Sequence, residues 1–286
     1  MSITRSKAEF NPATDISNPN LIINGDLYIN QRNVFNIADS AYCADRTYLR
    51  GVSGVGGSVT WQYHRNDFGN YIGITHSGAT GLSYLAQRIE EGNLRRHTSS
   101  TQVFTVGIHC VPDGGLSGQV QIAFQLIWRR LSDRAVLQDV ISGFETVVAS
   151  KTRYTASIEM TRPAETTECY LECRVQYRGL SSDAVPDGQY RFWGWKAEKG
   201  SVATPFTPDD PTTLLMKCQR YYLQENVQII AALTYESVYF PVTMRTTPSI
   251  TLSDGGWSRE NGTSRMVRIN RGAGAYAGSF TADAEL

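Results

Sequence analysis

The sequence predicts an all-β protein, a sandwich or barrel of many short strands, and three observations carry that prediction. Apolar and polar residues alternate with a period of two through most of the chain, clusters of Gly, Pro, Asp and Ser interrupt the alternation, and helical periodicity is weak throughout. Alternation places every second side chain on one face, so one face is buried and the other wet, which is the pattern of antiparallel sheets. Many short strands separated by tight turns close into sandwiches or barrels.

The elements follow in order. Short alternating runs lie at 58–64 (SVTWQYH), 71–76 (YIGITH), 103–110 (VFTVGIHC) and 154–160 (YTASIEM). In QVQIAFQLIWR (119–129), Val120, Ile122, Phe124, Leu126 and Trp128 share one face, with glutamines on the other. In ECYLECRVQY (168–177), Cys169, Leu171, Cys173, Val175 and Tyr177 share a face opposite Glu168, Glu172, Arg174 and Gln176. Turn chemistry falls at 52–57, 111–118 and 181–188. The stretch FWGWKAEKGSVATPF (192–206) reads as a closing strand with Trp193 and Trp195 on one face and Phe192 on the other, packing both ways in a sheet interior. A sugar-stacking platform is the alternative use of such aromatics. Glu198, Lys199 and Gly200 then turn the chain outward.

A boundary falls at TPFTPDDP (204–211), with three prolines and two aspartates in eight residues. The best helix candidate is 211–222, with Thr212 or Thr213 as its cap. Further β runs follow at 226–234, 237–245, 248–252 and 265–270. The expected organisation is a flexible attachment segment at 1–19, a β-sandwich over 20–210 and a smaller C-terminal β domain over 211–286.

Composition limits the function classes. Lys+Arg and Asp+Glu balance at 27 each, which argues against nucleic-acid partners and nonspecific attraction to anionic membranes. No apolar run is long enough to span a bilayer, so membrane insertion is not expected, and the N-terminus carries no hydrophobic signal core. The five cysteines, Cys43, Cys110, Cys169, Cys173 and Cys218, are odd in number and irregularly spaced. They read as reduced structural thiols of a chain folded in a reducing cytoplasm, not as a disulfide framework. Cys169 and Cys173 fit the core alternation better than a metal pair. No metal or other cofactor is expected.

Five pieces, in order, resemble bacteriophage tail-fibre and appendage proteins. NLIINGDLYINQRN (20–33) is similar to their N-L-x-x-N-G-x-F-x-x-W-Q-R-G opening, CADRTYL (43–49) to Y-x-A-D-R-W, and LAQRIE (85–90) to a Q-R-I-E strand. The stretch 192–206 resembles W-G-x-Q-x-E-K-G-S-x-A-T-P-F, and MKCQRYY (216–222) resembles C-Q-R-Y-Y. Leu27 and Asn30 stand where the family has Phe and Trp, and Thr47 stands where it has Trp, so aromatic packing at that edge must differ. The resemblance implies a jelly-roll sandwich like that of carbohydrate-binding modules, carried on a virion fibre that is commonly trimeric. The expected partners are thus a homotrimer, other virion proteins reached through the N-terminal segment, and a host surface polysaccharide. A structural virion component without glycan affinity is the alternative.

Enzyme chemistry is not expected. Glu90–Glu91 and Asp209–Asp210 are adjacent pairs whose members point to opposite faces of a strand, which does not suit glycoside hydrolysis. His64, His76, His97 and His109 lack metal spacing, and no G-x-S-x-G elbow or phosphate loop occurs. The aspartates of PDGG (112–115) and PDGQ (186–189) read as turn residues before calcium ligands. The cluster Arg129, Arg130 and Arg134, beside Asp133, reads as a solvated loop with internal ion pairing. For a glycan site, the loop-like stretch 253–265 offers Trp257 as a stacking ring with Arg259, Glu260 and Asn261 as polar contacts. The competing reading packs Trp257 under its own loop or against a neighbouring subunit. The second candidate is 64–71, with Asp67, Phe68 and Tyr71.

Overall fold

The computed structural model describes residues 20–32, 41–51, 58–66, 69–78, 81–90, 94, 101–113, 115–148, 152–163, 168–229, 235–253, 257–270 and 276–285. The N-terminal attachment segment expected at 1–19 lies outside them, as do Asp67 and Phe68. Among the described residues the protein is all-β, with one short helix.

Two antiparallel sheets make a jelly-roll-like sandwich. Numbered along the chain, the first sheet runs β1 (Ala41–Ala44), β2 (Thr47–Gly51), β5 (Ser83–Glu90), β11 (Cys169–Gly179), β7 (Val120–Arg130) and β8 (Val136–Ile141), with β9 (Glu145–Thr146) also on β7. The second runs β10 (Thr152–Thr161), β6 (Thr101–Pro112), β12 (Gly188–Lys199), β4 (Gly69–Ser77) and β3 (Ser58–Asn66). The alternation read from the sequence gives the core: Phe124, Leu126 and Trp128 of β7 and Leu171, Cys173 and Val175 of β11 face Phe104, Val106 and Ile108 of β6. Cys110, Cys169, Cys173 and Cys218 are all buried. Burial without a charge partner pushes the Cys110 thiol far up, so it stays protonated and inert.

Strand β12 departs from simple alternation. Gly194 has φ +62, a left-handed conformation that glycine adopts without strain, and the register on β6 shifts between Trp193 and Lys196. This bulge corrects the expected facing. Phe192 and Trp195 both enter the core, and Trp193 alone lies outside, stacked on His109 with centroids 5.2 Å apart. Glu198 does not project outward either. Its carboxylate accepts from Thr204 N at 2.8 Å and pairs with Lys196 at 3.2 Å, which pins residues 203–206 back onto the sandwich.

The helix α1 (Pro211–Gln219) is capped by Asp210, whose carboxylate accepts from Thr212 N and Thr213 N at 3.0 and 3.1 Å. The two threonines expected as caps are the donors instead, because Pro211 occupies the first helical position and leaves the preceding residue to cap. Two three-stranded sheets follow: β13 (Tyr222–Ile229), β18 (Tyr276–Asp283) and β15 (Ser249–Leu252), then β14 (Tyr235–Tyr239), β17 (Met266–Asn270) and β16 (Ser258–Gly262). Between them lies a separate small core that includes Leu223, Phe240, Trp257, Ile269 and Phe280.

The five family-like pieces converge at one joint between these two cores. Asn20 bridges β12, donating to Trp195 O at 2.9 Å and accepting from Ala197 N at 3.0 Å. Gly25 passes so close to that strand that an added Cβ would fall 2.0 Å from Trp195 O. Asn24 holds its own loop, donating to Ile29 O at 2.8 Å and Asp45 O at 3.0 Å. Arg46 is buried against Glu285, donates to Arg88 O and lies 3.6 Å above the Tyr221 ring. Arg32 packs 3.8 Å over Tyr222 and pairs with Asp283 and Glu285 at 3.3 and 3.4 Å. Burial opposes the Arg46 charge, but the Glu285 carboxylate acting together with Tyr221, Tyr42 and Cys218 outweighs it, and the Arg46 pKa lies above the ordinary value.

Candidate functional site

The first expected site does not present a stacking ring. Trp257 is 5% exposed, inside the small C-terminal core. It lies over Gly278 of β18, where an added Cβ would come within 3.0 Å of the indole. The stretch around it is not one long loop, since Ser258 to Gly262 form β16 against β17. Arg259 reaches Pro248 O at 3.4 Å, Glu260 pairs with Arg268 at 2.7 Å, and Asn261 is exposed. These polar residues therefore surround no open aromatic face, and the reading in which Trp257 packs beneath its own segment fits the structure. At the second site, Tyr71 is half-buried on β4, with the Arg191 guanidinium 5.8 Å from its ring. Asp113 of the first PDG turn pairs with Arg191, and Asp187 of the second accepts from Gly78 N at 2.6 Å, so both serve turn and strand ends. Among the described residues no cluster of His, Cys, Asp and Glu could hold a metal.

A different site lies on the outer face of the first sheet. Period-two alternation sends Tyr84, Ala86 and Arg88 of β5 outward beside Tyr170, Glu172 and Arg174 of β11. Tyr48 and Arg50 of β2 and Arg129 of β7 flank them, and Arg134 follows at the turn. Ala86 stands between Tyr48 and Arg174 in the cross-strand register, and its small side chain leaves the depression open. The groove has a cavity volume of about 270 Å³.

Its electrostatics centre on Glu172. Arg174 Nε donates to Glu172 Oε1 at 2.5 Å, Arg129 Nε lies 3.1 Å from Oε2, and Arg88 Nε lies 3.9 Å from the same oxygen. One carboxylate thus serves three guanidinium groups. Arg174 also caps the Tyr84 ring at 4.2 Å. Tyr170 is 2% exposed, yet its hydroxyl has no hydrogen-bond partner among the described residues. Burial raises its pKa, so the hydroxyl remains protonated and available as a donor. A buried hydroxyl without a partner is costly, on the order of 1–3 kcal/mol, and calls for an explanation.

Alternation alone assigns this face to water. The structure instead buries Glu172, Gln176 and Gln125, because the long side chains lie across one another: Gln176 Nε2 donates to Gln125 Oε1 at 2.5 Å, and Gln125 Nε2 donates to Asp139 at 2.7 Å. Of the basic cluster expected as a solvated loop, Arg130 does pair with Asp133 at 2.8 Å, whereas Arg129 and Arg134 line the groove. The available signal is the density of Arg and Tyr at alternate positions of 84–88 and 170–174, which local pattern reading registers only as a polar face.

No protein-family model matches the chain, and no curated protein matches it. Similar solved structures include the enzymatically active domain of tailspike protein 4 from Bacteriophage CBA120, at 10% identity and a TM-score of 0.37 over 63% of this chain. This chain spans 21% of that one. The CBM22-1 xylan-binding domain of Paenibacillus barcinonensis Xyn10C matches at 12% identity and a TM-score of 0.37, covering 65% of this chain and 97% of that domain. A CBM4 module matches at 14% identity and a TM-score of 0.34, over 62% of this chain and 98% of that chain.

Proposed function

We propose that this protein is a bacteriophage virion fibre or appendage component that recognises a host cell-surface glycan, and that the groove over β2, β5, β11 and β7 is where the glycan sits. The observation that carries the reading is the groove itself: a depression floored by a small residue, lined with donors, and containing a buried tyrosine hydroxyl without a partner among the described residues. The phage assignment rests on the five sequence pieces. A glycan array probed with the whole protein tests the binding role. Binding to no glycan, together with normal assembly into particles, would favour the second reading, a structural virion component. One observation bears on that second reading: recognisable residues such as Asn20 and Arg46 build the joint, while Tyr48, Ala86 and Arg88 of the same pieces line the groove.

The role is non-enzymatic. Glycoside hydrolysis needs two carboxyl groups facing one bond, and Glu172, held by three arginines, is the single carboxylate among the described groove residues. Shortening of host polysaccharide on incubation would contradict this. The assembly is a homotrimer, with β13, an edge strand whose continuation belongs to the apolar stretch 226–234, as its contact. A stable monomer by light scattering would refute it. Residues 1–19 attach the protein to the virion. A chain beginning at Asn20 keeps the Asn20 bridge and should oligomerise, yet fail to enter particles.

A further inference from the structure

We infer that the ligand of the groove is an acidic polysaccharide, one bearing carboxylate or sulfate groups, and not a neutral glycan. This rests on the groove being the glycan site.

Charge is the first argument. Arg88, Arg129 and Arg174 converge on the single carboxylate of Glu172, so among the described residues two positive charges in this cluster lack a matching negative one. Arg134, exposed at the groove's end, adds to the excess. Guanidinium groups are planar forks that bind carboxylate or sulfate oxygens in pairs, with hydrogen bonds roughly twice as strong as neutral ones. Glu172 holds the forks in place at 2.5 to 3.9 Å without saturating their donors.

The aromatic rings give the second argument. A neutral sugar is usually held by stacking on an open ring face. Here the Tyr84 face is covered by the Arg174 guanidinium, Tyr42 and Tyr48 meet edge to face at 5.4 Å, and Tyr170 is almost wholly buried. What the tyrosines offer is hydroxyl groups, above all the unpartnered one of Tyr170. The groove is built from donors, and its complement is a ligand rich in acceptors. Single-stranded nucleic acid is the other anionic polymer, but it binds through base stacking on free ring faces, which this groove does not present.

The test compares binding of the full chain to four immobilised polymers at fixed salt: polygalacturonate, the same polymer with its carboxyl groups reduced to alcohols, dextran sulfate, and oligo(dT). Polygalacturonate or dextran sulfate should bind at least about tenfold more tightly than the reduced polymer, an effect the size expected for one charge-assisted hydrogen-bond pair. Which of the two acids wins tells carboxylate from sulfate recognition. Tyr170→Phe should weaken that binding severalfold while leaving the melting temperature unchanged or higher, because the hydroxyl it removes has no partner among the described residues. Arg134→Ala should weaken it too, and its exposed position makes misfolding no explanation.

Equal binding of the acidic and reduced polymers overturns the acidic class while leaving the glycan reading intact. The same holds for preference for a neutral array glycan. Tighter binding of oligo(dT) than of either acid assigns the groove to nucleic acid and overturns the inference. Binding to none of the four, nor to any array glycan, removes both the inference and the reading beneath it.

Discussion

Removing the Glu285 carboxylate from the joint, by Glu285→Ala, is the sharpest perturbation of the fold. The Arg46 and Glu285 side chains are 1% and 6% exposed, so their charges face each other out of water. With Glu285 gone, Arg46 keeps its bond to Arg88 O and its place over Tyr221 but loses its counter-charge. Breaking a buried pair from one side costs about 3–5 kcal/mol, because the remaining charge is desolvated and uncompensated. The double variant Arg46→Met/Glu285→Ala removes that charge as well and should recover part of the loss, giving a coupling of about 2 kcal/mol or more. Urea unfolding of the four proteins in the cycle, followed by tryptophan fluorescence, measures it without added salt. A single-variant cost below about 1 kcal/mol would place the pair with ordinary surface ion pairs and refute the argument.

Three further outcomes are expected. Burial pushes the Asp45 carboxyl up to about 6, so the folded state holds its proton more tightly than the unfolded chain. The stability it contributes is therefore complete below about pH 4 and lost as pH rises through 6, about 3 kcal/mol in all, and Asp45→Asn should flatten that part of the pH–stability curve relative to the parent. Trp257→Ala should cost about 3–5 kcal/mol by emptying the C-terminal core, visible as a lower melting temperature, and leave polygalacturonate binding unchanged. Gly194→Ala places a side chain at φ +62 and 3.0 Å from the His109 ring, and should cost about 1–2 kcal/mol in urea unfolding.

Much of the sandwich is legible in the sequence because its signal is local. Five inward residues of β7 and five of β11 follow a period of two, and no long-range information is needed to see it. The facing of Trp193 and Trp195 is not legible, because one left-handed glycine shifts the register, and a glycine in a strand does not announce its φ. Trp257 looks loop-borne because glycines and polar residues surround it, while its burial depends on Gly278, far along the chain. The joint is visible only as resemblance. Arg46 and Glu285 lie 239 positions apart, and nothing in either neighbourhood predicts the other. The groove is least legible, because each strand contributes only a few of its residues and the site exists only once the register aligns them.

The joint also has a mechanical consequence. Arg32 and Glu285 are neighbours in space, so a tension entering the described chain near one leaves near the other without crossing the two large sheets. The load falls in shear on a few ion pairs and on the Asn20 bridge, and Arg46, which carries one of those pairs, also lines the groove. A pull on the two ends of the described chain would strain the joint first and reach the groove through Arg46.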